Sequence, residues 1–286
     1  MEENLLLAKT FLILGGMLVL TTIASRINKA YETSTEAFIT IGGSFGIMFL
    51  IIFYSENYPL NLVLVGIFSL FIGWSLGPTI AHIGEKFKFR KYLKHKMVLS
   101  KTINSKKTTF TDRLLGQKDE KKTVYYYKIE PEKTFDRMSD EFRELKLDFE
   151  KNILPHDRYN QEWQNIVFQA LIGTTLAVIL TALINMLFDY DFGFLGPILF
   201  ICLIALIIIE LLNAFYFKSK RRRLLQAYAG VIIFTLYLLY DFNRLEKAIS
   251  SGDTSWSTAI EIAVNLYLDI INLFLDLLEI LATSSE

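Results

Sequence analysis

TAIEIAVNLYLDIINLFLDLLEIL, residues 258–281, is long and apolar enough to cross a bilayer, yet it carries Glu261, Asn265, Asp269, Asn272, Asp276 and Glu279. At about 100° per residue, these six polar side chains fall within an arc of roughly 80° running the length of the helix. Leu, Ile, Val and Phe fill most of the remainder. A carboxylate at a bilayer centre costs ~2.5–3.5 kcal/mol, so acids inside membranes usually face a bundle interior or a water-filled path. The alternative is an amphipathic helix lying flat on the membrane with its acids in water. Helices of that kind are usually basic, and this stripe is acidic.

Working outward, the same apolar length recurs. The chain of 286 residues is 52% hydrophobic with formal net charge zero, but those averages hide an alternation. Runs of about 20 apolar residues lie at Leu5–Ile23, Thr35–Tyr54, Leu60–Ile83, Trp163–Phe188, Phe194–Phe217, Leu225–Phe242 and Thr258–Leu281. They predict an all-α polytopic membrane protein with seven spans. Residues 1–84 hold spans one to three, 85–162 form an inserted soluble module, and 163–286 hold spans four to seven. The first run lacks a basic region ahead of it and a small-residue exit, so it reads as a retained span. A single cysteine, Cys202, excludes an intrachain disulfide and a thiolate metal site. His82, His95 and His156 lie outside any metal-ligand spacing and read as helix-end or surface residues.

Lys and Arg cluster after spans one, three and five, and are absent from the loops after spans two and four. The positive-inside rule then places the amino terminus outside and the carboxyl terminus and inserted module in the cytoplasm. Arg244 and Lys247, just after span six, run against that pattern. Glu56, Asp189, Asp191 and Asp253 gather at the outer face. They read either as a cation-concentrating mouth or as the complement of the charge rule. Gly42 with Gly46, and Gly73 with Gly77, have the four-residue spacing that lets membrane helices approach closely.

The inserted module opens with Lys86–Lys107, nine Lys or Arg and no acid. A basic segment beside a membrane is drawn to anionic lipid headgroups at ~1 kcal/mol per cation; membrane tethering argues against nucleic acid. Thr123–Glu130 reads as a strand, with Lys96–Ile103 and Thr108–Leu114 as candidate partners. From Phe135 the apolar positions Phe135, Met138, Phe142, Leu145, Phe149 and Ile153 predict an amphipathic helix packed on those strands. The minority reading is a coiled coil or a protein partner. The module is thus expected to be small and α+β. No phosphate loop, triad or zinc site is present in the sequence.

Two further spans carry acids. Glu210 in span five lines a path or pairs with the arginines at 221–223. Asp241 in span six shares a face with Tyr237. It either bonds Arg244 at i+3 or faces inward, the choice its depth in the span favours.

The strings FTLYLLYDFNRLEK (234–247) and NLYLDIINLFLDLLEIL (265–281) resemble the last two spans of the transmembrane Bax-inhibitor-motif family. FGFLGPILF (192–200), QALIGTT (169–175) and PLNLVLVGIFSLFIGWSLGP (59–78) extend the resemblance backward. It covers all seven spans but not roughly Glu85–Gln161, where family members have a short connection. The resemblance implies a seven-helix bundle with the last helix central, calcium leak across membranes, and control of stress or cell death. It also implies a pH-sensitive aspartate pair, matched here by Asp241 and Asp269. Asp276 and Glu279 make this stripe more acidic than the family's. No Lys or Arg lies between Lys29 and Lys86, so a basic latch from span two or three is missing.

Elementary electrostatics supports the pair independently. Two carboxylates held close in low dielectric cannot both ionise easily, and they titrate as a unit. A shared proton ties the two spans together; a doubly ionised pair suits a hard, oxygen-seeking cation such as calcium. The expectation is therefore a pH-sensitive calcium leak channel with no cofactor and no enzymatic activity. Asp241 and Asp269 gate it and ligate calcium transiently, and Asn265, Asn272, Asp276, Glu279 and Glu210 continue the path. Calcium–proton exchange is the transporter version of the same path. An intramembrane aspartyl protease is the enzymatic alternative, but Leu266-Tyr267-Leu268-Asp269 lacks the glycines such enzymes place before the second aspartate. A membrane scaffold regulating stress or cell death through the module is the third reading. The short amino terminus and the Lys/Ile/Phe-rich composition favour a bacterial plasma membrane.

Overall fold

A computed structural model describes residues 3–106, 120–156, 158–188, 190–213, 216 and 219–284. Their residues separate into two compact units, Met1–Ile83 with Asn165–Ser285, and Gly84–Gln164. The helices are α1 (Glu3–Ile27), α2 (Ser34–Phe53), α3 (Leu60–His95), α4 (Asp140–Asp148), α5 (Asn160–Leu187), α6 (Leu195–Leu212), α7 (Lys220–Ser250) and α8 (Trp256–Ser284). Six of them, α1, α2, α3, α5, α6 and α7, are long and apolar enough to cross a membrane. α8 has the length, at 29 residues, and its acids set it apart. The protein is an all-α polytopic membrane protein carrying one small sheet.

In the first unit, the deepest burial lies along α8. Ala259, Ala263, Leu266, Tyr267, Leu273 and Leu278 are all fully buried. Burial on that scale does not fit a helix lying flat with one side in lipid. Tyr267 also links three helices. The Thr21 hydroxyl on α1 donates to the Ser69 carbonyl on α3 at 3.0 Å. With that hydrogen committed, the Tyr267 phenol is the donor in its 2.5 Å bond to Thr21. By contrast, large side chains of α2 and α6 such as Phe38, Ile52, Ile201 and Ile208 are exposed, as lipid-facing positions must be.

The two glycine pairs separate. A Cβ on Gly73 would lie 2.5 Å from the Thr21 carbonyl oxygen, and one on Gly77 would meet the carbonyls of Ser25 and Asn28. Gly73 and Gly77 are therefore where α3 meets α1, and Asn28 seals the contact by donating to the Trp74 carbonyl at 3.0 Å. Gly42 and Gly46 have open space around them, so the packing expected of that pair is not realised; the adjacent Gly43 packs instead, against the Phe71 ring. At one end of the unit, Lys9 sits 4.7 Å over the Trp256 ring, which stacks on Tyr58 at 5.2 Å.

α3 continues as helix to His95, past the span end expected at Ile83. The run GEKFKFRKYLKH contains no proline and one glycine, so nothing local stops the helix. In the second unit, β1 (Val98–Lys106), β2 (Glu120–Tyr127) and β3 (Glu130–Phe135) form an antiparallel sheet in the order β1-β2-β3. Lys96–Ile103 was expected beside the Thr123–Glu130 strand, and Val98 pairs with Tyr127. The other expected partner, Thr108–Leu114, lies outside the described residues; β3 is the second neighbour. The expected helix from Phe135 begins later. Phe135 belongs to β3, Met138 is 95% exposed, and the Ser139 side chain caps α4 by accepting from the Phe142 amide. The turn before that cap removes two positions from the helical face. Phe142, Leu145, Phe149 and Ile153 remain on it, and all are buried. The last two lie in a π-helical segment, Phe149–Ile153, that continues α4.

Phe149 stands at the centre of this small core, 5.0 Å from the Phe89 ring and 5.7 Å from Tyr92. Phe149→Ala is expected to destabilise the unit by about 3–5 kcal/mol. Amide exchange in β1 and β2, measured on the full-length protein, checks this: faster exchange there is the expected result, and unchanged exchange contradicts the core assignment.

Candidate functional site: facing carboxyls on the last two helices

Asp241 on α7 and Asp269 on α8 are buried to 2% and 7% exposure. α7 runs antiparallel beside α8 because the short turn at Ser251–Ser255 joins them. Along α7 the buried side chains Phe234, Leu238, Asp241 and Leu245 recur every three or four residues, so the periodicity that packs the helix also aims Asp241 inward. The carboxyls of Asp241 and Asp269 lie within hydrogen-bonding reach of each other. The Oδ2 of each finds no partner among the described residues. Two ionised carboxylates can only accept, so a bond between them requires a proton on one. Tyr237, one turn before Asp241, lies within electrostatic range of both.

The nearest cation is Arg244. Its Nη1 is 3.8 Å from Asp241 Oδ1, too far for a hydrogen bond. Its Nη2 instead donates to Glu261 Oε1 at 2.6 Å. The two readings of Asp241 are thus both partly realised: it faces inward, and Arg244 stands near without neutralising it closely.

The remaining sequence candidates spread along α8 and α6. Asn265 and Asn272 are half-buried on α8. Asp276, half-buried two turns beyond Asp269, lies within electrostatic range of Glu210 and Glu279. Glu210 is exposed on α6. Arg223 pairs with Glu279, Nε to Oε1 at 2.7 Å, so the described acid that holds this arginine comes from the last helix rather than span five.

At the opposite end of the unit, two of the expected mouth acids are already engaged. Asp191 accepts from Lys247 and from the Gly193 amide at 2.7 Å, which holds its carboxyl below the usual range. Asp253 accepts from the Thr258 hydroxyl at 2.6 Å and the Ser255 amide at 2.8 Å, with the same effect. Asp189 lies outside the described residues, and Glu56 is exposed. No group of three or more His, Cys, Asp or Glu among the described residues is placed to hold a metal ion. A cation at the pair would therefore have two carboxylates and would keep part of its water.

The family profile described as "Inhibitor of apoptosis-promoting Bax1" matches residues 3–90 and 158–286. The chain belongs to the Bax inhibitor family. Among similar proteins, Protein LIFEGUARD 4 of Arabidopsis thaliana is 37% identical over 118 residues, 40% of this chain and 46% of that protein. Protein LIFEGUARD 3 of the same plant is 40% identical over 92 residues, 32% of this chain and 35% of that one. The Golgi anti-apoptotic protein of Vaccinia virus (strain Lister) is 34% identical over 122 residues, 43% of this chain and 49% of its own length. The chain spans about half the length of these relatives or less.

For this Bax inhibitor family member, sequence reasoning had passed over Gly230. A Cβ built there would overlap Asp276 Oδ2. Its signal in the sequence was a glycine in mid-helix, a position that costs helix stability unless something must come close.

Proposed function

We propose that this protein is a pH-sensitive calcium leak channel in which the Asp241–Asp269 pair is the constriction. What carries the reading is that two buried carboxyls face one another across α7 and α8, each with an oxygen that lacks a donor. With one shared proton, the pair bonds α7 to α8 and closes the seam. Without it, the two negative charges repel in a medium of low dielectric and offer oxygens to a hard cation. Leak is therefore expected to rise with pH. Asn265 extends the path on the α7–α8 turn side of the pair, and Asn272, Asp276, Glu279 and Glu210 continue it toward the other end. α8 crosses the membrane as a seventh span inside the bundle, where its acids avoid lipid.

Charge placement supports an orientation with the α7–α8 turn outside and the carboxyl terminus and the 85–162 module in the cytoplasm. Lys86–Lys107 would then meet anionic headgroups, or the module a protein partner. A bacterial plasma membrane is the setting the composition favours. The anti-apoptotic name of the Vaccinia relative supports a role in stress or cell-death control.

Calcium entry into dye-loaded liposomes containing the purified protein is the test. Entry faster than into protein-free vesicles is expected, and equal rates would reject the channel. Cleavage of a transmembrane peptide, blocked by an aspartyl-protease transition-state mimic, would move the pair to the enzymatic reading.

A further inference from the structure

We propose that Gly230 is a positioning residue for Asp276, and that this seat, together with the Arg223–Glu279 ion pair, forms a second closure of the α7–α8 seam. The inference rests on the leak reading above, and adds to it a control point at the end away from the Asp241–Asp269 pair.

Two contacts on the same pair of helices carry it. On α8, Asp276 and Glu279 are three residues apart and so lie on one face. On α7, Gly230 and Arg223 are seven residues apart, two turns along one side of the helix. The Asp276 carboxyl occupies the volume that any side chain at position 230 would fill. One turn further, Arg223 Nε donates to Glu279 Oε1 at 2.7 Å, and Glu279 is only 14% exposed. The two contacts run in opposite chain directions along antiparallel helices, as one continuous seam requires. Gly230 lets α7 come close enough for Arg223 to reach Glu279, and the ion pair in turn holds the carboxyl in its notch.

The charges facing Asp276 are Glu210 on α6, Glu279 on its own helix, and Arg223 through Glu279. Asp276 thus sits among acids, and Arg223 is committed to Glu279. A cation leaving the upper pair would meet this carboxylate next. In the closed arrangement, however, the carboxylate is backed against helix backbone rather than turned toward a path. Moving it off Gly230 opens the seam.

The test is a cycle of Gly230→Ala, Asp276→Ala and the double variant, with Arg223→Gln alongside. Calcium entry into dye-loaded liposomes and the thermal midpoint in detergent are both read. Gly230→Ala ordinarily favours a helix; here it is expected to lower the midpoint, because the methyl displaces the carboxyl. Asp276→Ala on top of it is expected to restore the midpoint, since the space is then free. Gly230→Ala and Arg223→Gln are each expected to raise calcium leak several-fold above wild type. A midpoint that Gly230→Ala leaves equal or higher, or effects on it that simply add, overturns the seat. Wild-type protein that leaks while both variants leak identically overturns the closure and leaves the channel standing. Wild-type protein that passes no calcium overturns the channel and the closure together, and the midpoint cycle still decides the seat.

Discussion

Protein carrying Asp241→Asn together with Asp269→Asn is expected to pass calcium at a rate that no longer changes with pH. An amide neither gains nor loses a proton in the range where proteins function. It carries both a donor and an acceptor, so two facing amides keep the link between α7 and α8 that the shared proton supplies in the wild type. The seam then stays in its tied state at every pH, and no pair of carboxylates forms for calcium. At the high end of the pH range the leak is expected to fall by at least about tenfold, corresponding to ~1.4 kcal/mol. The single variants should differ from the double. Asp269→Asn leaves Asp241 with Arg244 3.8 Å away, and Asp241→Asn leaves Asp269 without that cation. Each keeps one titrating group, so each should retain a shallow pH response that lacks the coupling of two sites. A double variant with the wild-type pH profile removes the pair from the mechanism.

Gly77→Val is expected to be the most damaging substitution in the bundle. A side chain there would meet the backbone carbonyls of Ser25 and Asn28, and backbone does not rotate away as the end of a side chain does. Overpacking of this kind costs typically 1–3 kcal/mol, so a loss of about 3 kcal/mol or more is expected, with α1 pushed off α3. The Thr21–Tyr267 bond, which needs α1 at its present distance, should break with it. Gly42→Val is the control, since nothing lies within 4 Å of that position. Thermal unfolding in detergent should show a large drop for Gly77→Val and little change for Gly42→Val; equal effects would contradict the packing described for both.

The membrane class was legible because apolar length alone identifies spans, whatever they pack against. The acidic stripe of α8 was legible for a related reason: six polar residues on one arc of an apolar helix need a protein or water environment. The depth of Asp241 in its span spoke for an inward-facing side chain, and the periodicity of α7 aims it there; its pairing with Asp269 was legible only through the resemblance to the family. What the sequence hid were features set by partners distant in the chain. The spacing of Gly42–Gly46 and Gly73–Gly77 is identical, yet only the second pair meets another helix. Arg223 had two acids to choose from, Glu210 and Glu279, and spacing along the chain could not decide between them. Gly230 gave only the signal of an unfavoured residue in a helix; its reason, the Asp276 carboxyl, lies 46 positions on. In the second unit, the apolar spacing spoke for helix as far back as Phe135. The capping serine at 139 was the local signal that ended it.

The central claim is that calcium passes where Asp241 and Asp269 share a proton. Its most direct test is calcium entry into dye-loaded liposomes containing the wild-type protein, titrated from about pH 5 to about pH 8. The account predicts a leak that is small in acid and rises with pH as the shared proton leaves. A leak that is flat across that range, or one that grows as pH falls, would contradict it.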